Sequence, residues 1–353
     1  VTALALFNAE KSHFSQNTWN AIPRAYLGLV GRATYNFRNR YMLEFNIGYN
    51  GSENFAEGKR FGYFPAYSAG WTFTEEPWLR SLIGDDILSY GKLRYSYGTV
   101  GNDRMRVNGS DVRFLYLPDS YEMNKYNYHG WHDLGVNFGQ PGATTNNPIA
   151  IPGTAGNPNV TWEKSTKINY GADLSFFSNM VSLKLDYFTE DRTDILINQQ
   201  VVPIYQQTGT LALNLGQVQN KGYEIELGWN KNIGKDTRLN VDLNYTHSRN
   251  KIIEMDEPEQ PYEYREQTGK RVGEVWGYQQ EDFFRTVEEA NAYRDELWET
   301  YSALNPEADK ASYQAYQIFT TGSDVSAGDL KFIDRNGDGT ITDMDAGYLG
   351  TPN

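Results

Sequence analysis

The strongest constraint on the fold is a regular alternation of apolar and polar residues that repeats along most of the chain. In residues 41–49 all odd positions are apolar: Tyr41, Leu43, Phe45, Ile47 and Tyr49. The even positions of the same segment include Glu44 and Asn46. Because successive side chains of a β-strand point to opposite faces of a sheet, this segment predicts a strand with one apolar and one polar face.

The alternation recurs in seven further segments and at the start of the chain, which predicts about nine strands. The segments are 27–35, 63–73, 93–97, 168–174, 181–187, 223–229 and 239–245, together with Val1–Asn8. Short turns are expected at Arg38–Asn39, Phe177–Asn179 and Asn232–Asp236, with a longer turn at Glu75–Ser89. Long loops are expected at 101–161, 191–221 and 250–353, the last with a short helical insertion over Val287–Ala315.

Two all-β architectures fit this alternation. In a soluble glycan-binding β-sandwich the apolar face would meet a second sheet. In a transmembrane β-barrel it would meet lipid, and the polar face would line a lumen. Aromatic residues make up 14% of the chain, and many lie near the ends of the apolar faces, as at a membrane interface. Short turns at one end and long extracellular loops at the other also favour a segment of a large antiparallel barrel.

Composition narrows the classes of partner and chemistry. The formal net charge of −13 argues against a nucleic-acid partner, since phosphate binding needs clustered Lys and Arg. The chain has no cysteine, which excludes disulfides and thiolate chemistry within it. Neither a nucleophile elbow nor a Ser-His-Asp order is evident, so we expect no enzyme activity. Val1–Phe7 lack the features of a signal peptide and the chain stops in a loop-like stretch, so we expect a segment of a longer protein.

Six short motifs occur in a fixed order along nearly the whole chain. They are Tyr49–Phe55, Arg60–Pro65, Leu93–Asn102, Asn157–Lys164, Asn220–Glu224, and Gly328–Leu330 with Asp334–Gly339. This ordered series resembles the SusC/RagA family of TonB-dependent outer-membrane transporters. The resemblance implies a barrel of about 22 strands, plugged by an N-terminal domain. It also implies a SusD-like surface lipoprotein as a lid, energy supplied through the TonB complex, and oligosaccharide or peptide cargo.

The resemblance places the plug, the segment that contacts TonB and the final strands outside this sequence, so no residue here is assigned to TonB. The expected function is nutrient import across the bacterial outer membrane, with outer-membrane lipid as the surroundings of the barrel. A passive porin or an adhesin barrel is an alternative that would lack the plug and the ordered motifs. The soluble glycan-binding sandwich is the other alternative, and it would be recovered without detergent.

The sharpest local motif fits the twelve-residue calcium-loop pattern, with glycine at its sixth position. Candidate oxygen ligands for Ca²⁺ are Asp334, Asn336, Asp338, Thr340, Asp343 and Asp345. Asp345 stands at the twelfth position, where Glu is usual, and Asp343 is a substitute for it. The alternative interpretation is a tight turn that needs left-handed residues but binds no metal. If calcium binds, we expect it to stiffen an extracellular loop.

The loop after Gly109 is rich in aromatic residues, whose faces stack on sugar rings. Candidate cargo contacts are Phe114, Tyr116, Tyr121, Tyr126, Tyr128 and Trp131. The same residues could instead contact a lid protein or pack within the loop. His129 and His132 are close in sequence, but no third ligand is evident nearby, so a loop surface is the preferred interpretation.

Overall fold

The computed structural model divides the chain into two compact units, residues 1–256 and 257–353. It describes residues 1–12, 23–83, 87–107, 109–118, 122–125, 136–138, 145–147, 149–151, 155–202, 211–234, 236–318 and 325–350. None of the helices in these ranges is long and apolar enough to cross a membrane. Each unit has its own architecture and is described separately.

The first unit is an antiparallel sheet of nine strands in sequential order, which confirms the all-β prediction. The strands are β1 (Thr2–Ser12), β2 (Arg24–Phe37), β3 (Tyr41–Ser52), β4 (Phe61–Trp71), β5 (Leu88–Asn102), β6 (Glu163–Phe176), β7 (Val181–Asn198), β8 (Ala212–Ile233) and β9 (Thr237–Glu254). A 3₁₀ turn (Phe73–Glu75) and helix α1 (Pro77–Ile83) connect β4 to β5. Because each strand pairs with the next one in the chain, every connection in the sheet is a hairpin.

The pairing register places apolar side chains in rows that cross the sheet. Tyr95, Tyr170, Tyr187 and Tyr223 stand directly opposite one another on four neighbouring strands, β5 to β8. All four side chains are exposed. The residues before and after them in sequence point to the other face. The sheet therefore has one face of exposed Tyr, Leu, Phe and Trp side chains, called here the apolar face, and an opposite polar face.

Tight turns join the strands at one end of the sheet. Arg38 and Asn39 both adopt positive φ angles of 51° and 56°, the backbone of a two-residue hairpin turn whose twist matches the strands. The amide group of Asn36 bonds to Asn39 and stabilises that turn. Phe177, Ser178 and Asn179 also have positive φ angles. The predicted short turns at these two places are therefore confirmed.

The structure corrects the predicted loop at 191–221. β7 continues to Asn198 and β8 begins at Ala212, so the connection covers only residues 199–211. The sequence pattern failed here because residues 191–194 are all polar and residues 195–197 are all apolar, so neither stretch alternates although the hydrogen-bond ladder continues. Irregular pairing around Ile195 adds to the effect. β8 has 22 residues and spans about 70 Å at roughly 3.3 Å per residue, far more than the roughly 25 Å apolar band of such barrels.

The long connection between β5 and β6 contains short strands, paired in three antiparallel hairpins. They are Met105–Val107 with Ser110–Val112, Glu122–Lys125 with Ile149–Ile151, and Val136–Phe138 with Thr145–Asn147. The predicted loop at 101–161 thus contains local strand pairing in its described residues, and it begins after Asn102.

The second unit corrects the prediction of a loop over 250–353. β9 runs to Glu254, and residues 257–353 form a unit with helix α2 (Val287–Leu304) and two small sheets. The sheets pair β10 (Val275–Gly277) with β13 (Gly347–Gly350) and β11 (Gln280–Phe283) with β12 (Leu330–Phe332). α2 begins at the N-cap Thr286, whose hydroxyl accepts from the Glu289 N–H, and ends eleven residues before the predicted Ala315.

A hydrophobic core holds the second unit together. Its buried members are Phe284, Ala290, Leu297, Tyr313, Ala315, Tyr316, Val325 and Ile341. Residues 257–353 carry 20 Asp and Glu against 8 Lys and Arg, a formal net charge of −12, whereas residues 1–256 carry 25 against 24. Almost all of the negative charge of the chain therefore lies in this unit.

Replacing Ile341 by Ala should destabilise the second unit by about 2–4 kcal/mol, since it removes methyl groups from a fully buried position. Hydrogen exchange of amides in residues 257–350 of the full-length protein measures the effect. The exposed Met344→Ala is the matched control and should leave the exchange rates unchanged. Equal exchange in both variants would contradict the assignment of Ile341 to the core.

Candidate functional site

A cluster of paired charges lies on the polar face where β5, β6 and β7 meet. Arg94 of β5 donates from Nε and Nη2 to the two carboxylate oxygens of Asp173 on β6, both at 2.9 Å. The same Nη2 donates to Asp186 Oδ2 on β7, also at 2.9 Å. Such a two-pronged contact fixes the guanidinium plane and is among the stronger ion pairs in proteins. One arginine thereby ties three neighbouring strands together on this face.

A glycine makes this crossing possible. Gly171 of β6 stands opposite Arg94 on one side and Asp186 on the other. A Cβ atom at position 171 would lie 2.6 Å from the Arg94 Cζ atom, so any other residue would displace the guanidinium. On the next strands Lys184 pairs with Glu226 at 3.0 Å. The polar face is therefore charged but locally compensated.

A second group of charges surrounds a cavity of about 260 Å³ further along the same strands. The Glu190 carboxylate accepts from the Ser165 hydroxyl at 2.7 Å and from Arg192 Nε at 2.8 Å. Lys167 Nζ lies 3.7 Å from the same oxygen. Both cations and the serine converge on one carboxylate, so this cavity also presents polar groups that are already paired.

Three of the six motifs, Tyr49–Phe55, Arg60–Pro65 and Asn157–Lys164, contribute to one buried cluster at the other end of the sheet from the tight turns. This rim core consists of Phe55, Phe64, Met105, Val160 and Trp162. The ring centroid of Trp162 lies 5.2 Å from those of Phe55 and Phe64. Aromatic pairs at these distances stabilise a fold beyond the area that they bury. The motifs therefore build structure at the rim.

Two asparagines fasten the long connection between β5 and β6 to the neighbouring hairpin. The buried Asn157 donates from Nδ2 to the Ala212 carbonyl at 2.8 Å. Asn214 accepts from the Thr161 N–H at 2.9 Å and donates to the Thr161 carbonyl at 3.0 Å. These bonds satisfy backbone groups that have no partner in the sheet. The loop ends are thus held in place beside the rim core.

A cavity of about 600 Å³ opens beside the rim core. Its lining residues are Glu10, Ser12, Arg24, Ala25, Tyr26, Ser52, Glu53, Asn54, Asp103, Arg104, Met105, Asp111, Val112 and Arg113. Arg113 pairs with Glu53 and also donates to the Pro23 carbonyl. Donors from Arg104 and Arg106 lower the pKa of Asp111 to about 2, so it is ionised at neutral pH. The cavity presents charges of both signs.

The structure describes two of the six predicted aromatic contacts. Phe114 and Tyr116 lie edge to face with ring centroids 6.1 Å apart, and the Arg113 guanidinium lies 4.6 Å from the Phe114 ring centroid. Tyr121, Tyr126, Tyr128 and Trp131 lie outside the described residues. Sequence reasoning missed Arg113 and Glu53, because their partnership joins residues 60 positions apart.

The carboxylates of the predicted calcium loop accept hydrogen bonds from backbone N–H groups of the same loop. The Asp334 carboxylate accepts from the N–H groups of Gly337 and Gly339, both at 2.8 Å. The fully buried Asp345 accepts from Arg335 and Thr342, also at 2.8 Å. Asp338 accepts from both the N–H and the hydroxyl of Thr340, and from the Asn336 amide. Five of the six predicted residues therefore take part in one hydrogen-bonded loop.

Asp343 is the exception among the predicted ligands. Its side chain is 80% exposed and lies 3.8 Å from the Arg265 guanidinium. Among the residues that the structure describes, no group of three or more His, Cys, Asp or Glu side chains is arranged to hold a metal ion. The carboxylates of Asp334, Asp338 and Asp345 are the hard oxygen donors that Ca²⁺ prefers, so the chemistry fits while calcium itself stays a prediction.

The pH dependence of the second unit distinguishes the two interpretations of this loop. Burial raises the pKa of Asp345, although three backbone N–H donors oppose the shift. A raised pKa in the folded state means that, without metal, stability falls as the pH rises through that pKa. A bound cation favours the ionised form, so stability with calcium should instead rise over the same range.

We therefore predict that Ca²⁺ at a hundredfold excess over its dissociation constant stabilises residues 257–350 by roughly 2.7 kcal/mol at neutral pH. Hydrogen exchange of the full-length protein, with Ca²⁺ or with a chelator, measures this. Asp338→Asn should abolish the gain, whereas the control Asp343→Asn should keep it. Identical exchange with and without Ca²⁺ would show that the loop is a metal-free turn.

Two glycines beside Phe64 make room for the rim core. Cβ atoms at Gly62 and Gly101 would lie 2.4 Å and 1.9 Å from the Phe64 ring. Gly101→Ala should therefore displace that ring and destabilise the region around the 103–162 connection by about 1–3 kcal/mol. Gly48→Ala is the matched control, since its Cβ would meet no atom closer than 3.6 Å. Limited proteolysis of the connection is the measurement, and equal cleavage of both variants would contradict this packing.

Relatives of this chain include several TonB-dependent receptors. TonB-dependent receptor P39 of Formosa agariphila is 26% identical over 348 residues, which cover 95% of this chain and 30% of the relative. TonB-dependent receptor SusC of Bacteroides thetaiotaomicron is 29% identical over 242 residues, which cover 68% of this chain and 22% of the relative. The chain thus spans less than a third of the length of these relatives.

Solved structures show the same fold. The RagAB peptide importer in its 'open-open' state matches with a TM-score of 0.56 at 19% identity, over 75% of this chain and 26% of that chain. Its 'closed-closed' state matches with a TM-score of 0.55. The family model described as TonB dependent receptor-like, beta-barrel matches residues 4–349. These findings confirm the resemblance seen in the motifs, and the chain belongs to the TonB-dependent receptor β-barrel family, with SusC-like relatives.

Proposed function

We propose that the protein containing this chain imports an oligosaccharide across the bacterial outer membrane, driven through TonB and assisted by a SusD-like surface lipoprotein. Members of this family are outer-membrane transport barrels and not enzymes. The observation that carries the proposal is the match of the family model over residues 4–349. The sheet within this range has one apolar and one charged face, as such a barrel requires.

The two faces of the sheet suit this role. The apolar face with its exposed Tyr, Leu and Phe side chains is the lipid-facing surface of such a barrel. The polar face then lines the lumen, where Arg94, Asp173 and Asp186 offer hydrogen-bonding groups without a large net charge. A wall of paired charges lets a hydrophilic cargo exchange hydrogen bonds as it passes, and does not hold it by one strong attraction.

The cavity at the rim favours a peptide as the second candidate cargo. Its lining carries Glu53 and Asp111 beside Arg104 and Arg113, so both charged ends of a short peptide would meet complementary groups. A neutral sugar would instead use the hydroxyl and amide groups of Ser52 and Asn54. The RagAB peptide importer supports a peptide cargo, by similarity of fold alone.

The proposed lid would close over the rim, where the long connections lie. Phe114 and Tyr116 stand in the largest of these connections, and the rim core holds its ends in place. The loop ends are held in place, and aromatic side chains lie between them. Such a surface suits a contact that forms and breaks, because little conformational entropy is lost at each closure.

Uptake by native cells with and without the gene for the full-length protein tests the proposal. Deletion should abolish growth on one class of oligosaccharide, or of peptide, and a deletion of TonB should have the same effect. Affinity purification from the outer membrane should also recover a surface lipoprotein. Uptake that persists without TonB would favour a passive porin and contradict active import, whatever the cargo.

A further inference from the structure

The connection between β4 and β5 carries apolar side chains that no described residue covers. Helix α1 has only seven residues, Pro77–Ile83, too few to be stable by its own hydrogen bonds. Trp78 is 58% exposed and Leu82 is 75% exposed, whereas Leu79 is half-buried. Trp78 and Leu82 are four residues apart and lie on the same side of the helix, with Leu79 next to them.

The segment before α1 folds back onto the apolar face of the sheet. The Phe73 ring covers Gly91 of β5, where a Cβ atom would lie 2.3 Å from the ring. Gly91 is two residues before Leu93 and four before Tyr95, so it belongs to the apolar face. The Thr74 hydroxyl accepts from the Gly91 N–H at 3.0 Å and donates to its carbonyl at 3.3 Å. The Thr74 hydroxyl thus takes the place of a β4 backbone partner for Gly91, because the pairing of β4 with β5 ends at Trp71 and Leu93.

Glu76 fastens the start of the helix to the same face. Its side chain is 9% exposed, and Oε1 accepts from the Tyr41 hydroxyl at 2.5 Å and from Trp71 Nε1 at 3.4 Å. Tyr41 and Trp71 stand directly opposite each other on β3 and β4, both on the apolar face. Arg40 lies 3.7 Å from the other carboxylate oxygen. The base of α1 thus rests on the polar tips of two aromatic side chains.

We propose that α1 is an interfacial anchor that lies in the boundary between headgroups and acyl chains of the periplasmic leaflet. The proposed occupant of its apolar side is phospholipid, because this side continues the lipid-facing surface that begins at Tyr41 and Trp71. The leaflet follows from the turns: the β4–β5 connection is at the same end of the sheet as the tight turn at Arg38–Asn39. Trp and Leu on a short amphipathic helix suit this depth.

The proposed contact of α1 with lipid differs in geometry from the lipid contact of the strands. The strands present apolar side chains perpendicular to the barrel wall, whereas α1 is attached at the edge of the wall through Glu76. Glu76 replaces water as the partner of Tyr41 and Trp71, so these aromatics are held by the protein and not by headgroups. The anchor therefore fixes the depth of β4 and β5 in the membrane without any involvement of cargo.

Fluorescence quenching in proteoliposomes of the full-length protein tests this, with the dye bimane attached at single cysteines and any native cysteines replaced. Leu82→Cys carries the dye on the apolar side of α1. Ser81→Cys is the matched control about 100° away on the helix, and Leu43→Cys on β3 is the positive control for lipid contact. Phosphatidylcholine with a spin label near the top of the acyl chain is the membrane quencher, and iodide is the aqueous one.

The dye at position 82 should be quenched several-fold more by the labelled phospholipid than the dye at 81, and less by iodide. Equal iodide quenching at 81 and 82 would overturn the proposal. If the dye is protected from iodide in native membranes but is not quenched by lipid in proteoliposomes, α1 contacts a periplasmic protein. That result would also overturn the proposal. Leu79→Cys provides an independent second site if the variant at 82 is not inserted. No cargo is needed, so failure here is separable from failure of the import proposal.

Discussion

The backbone hydrogen bonds between neighbouring strands are the interaction on which the rest of this structure depends. Lipid offers no partner to an N–H or carbonyl group, so a strand can cross a membrane only if its neighbours satisfy it on both edges. In the first unit each strand from β2 to β8 is paired on both sides in uninterrupted antiparallel order. That ladder fixes the side-chain register, and the register separates an apolar face from a polar one.

On the polar face and at the rim, a large side chain on one strand fills the space left by a glycine on its neighbour. Gly171 has no side chain where Arg94 crosses it, and Gly101 has none where Phe64 rests. On the apolar face Gly91 accommodates Phe73 in the same way. A glycine on one strand and a large side chain on its neighbour thus act as a pair. This explains why the family's motifs combine glycine with aromatic residues at the rim, without any direct role in chemistry.

The sequence predicted what depends on local pattern and failed where the partners are distant. Alternation located all nine strands, because one face of each is apolar, but it lost β7 beyond Glu190, where a run of polar residues is followed by a run of apolar ones. It showed the turn geometry at Asp334–Asp345, since glycine and asparagine mark such turns. It did not show that residues 257–353 have a core, because Phe284 and Ile341 are far apart in sequence. Neither Glu76 beneath Tyr41 nor Arg113 beside Glu53 has a local signature.

Accessibility of single cysteines at consecutive positions of β3 tests the central claim most directly. In intact outer membranes containing the full-length protein, Leu43→Cys and Phe45→Cys should react with a lipid-soluble maleimide and resist a charged one. Glu44→Cys and Asn46→Cys should react with the charged reagent, because they face a water-filled lumen. Reaction of all four positions with the charged reagent, or protein recovered in the soluble fraction, would contradict a membrane barrel and favour a soluble sandwich.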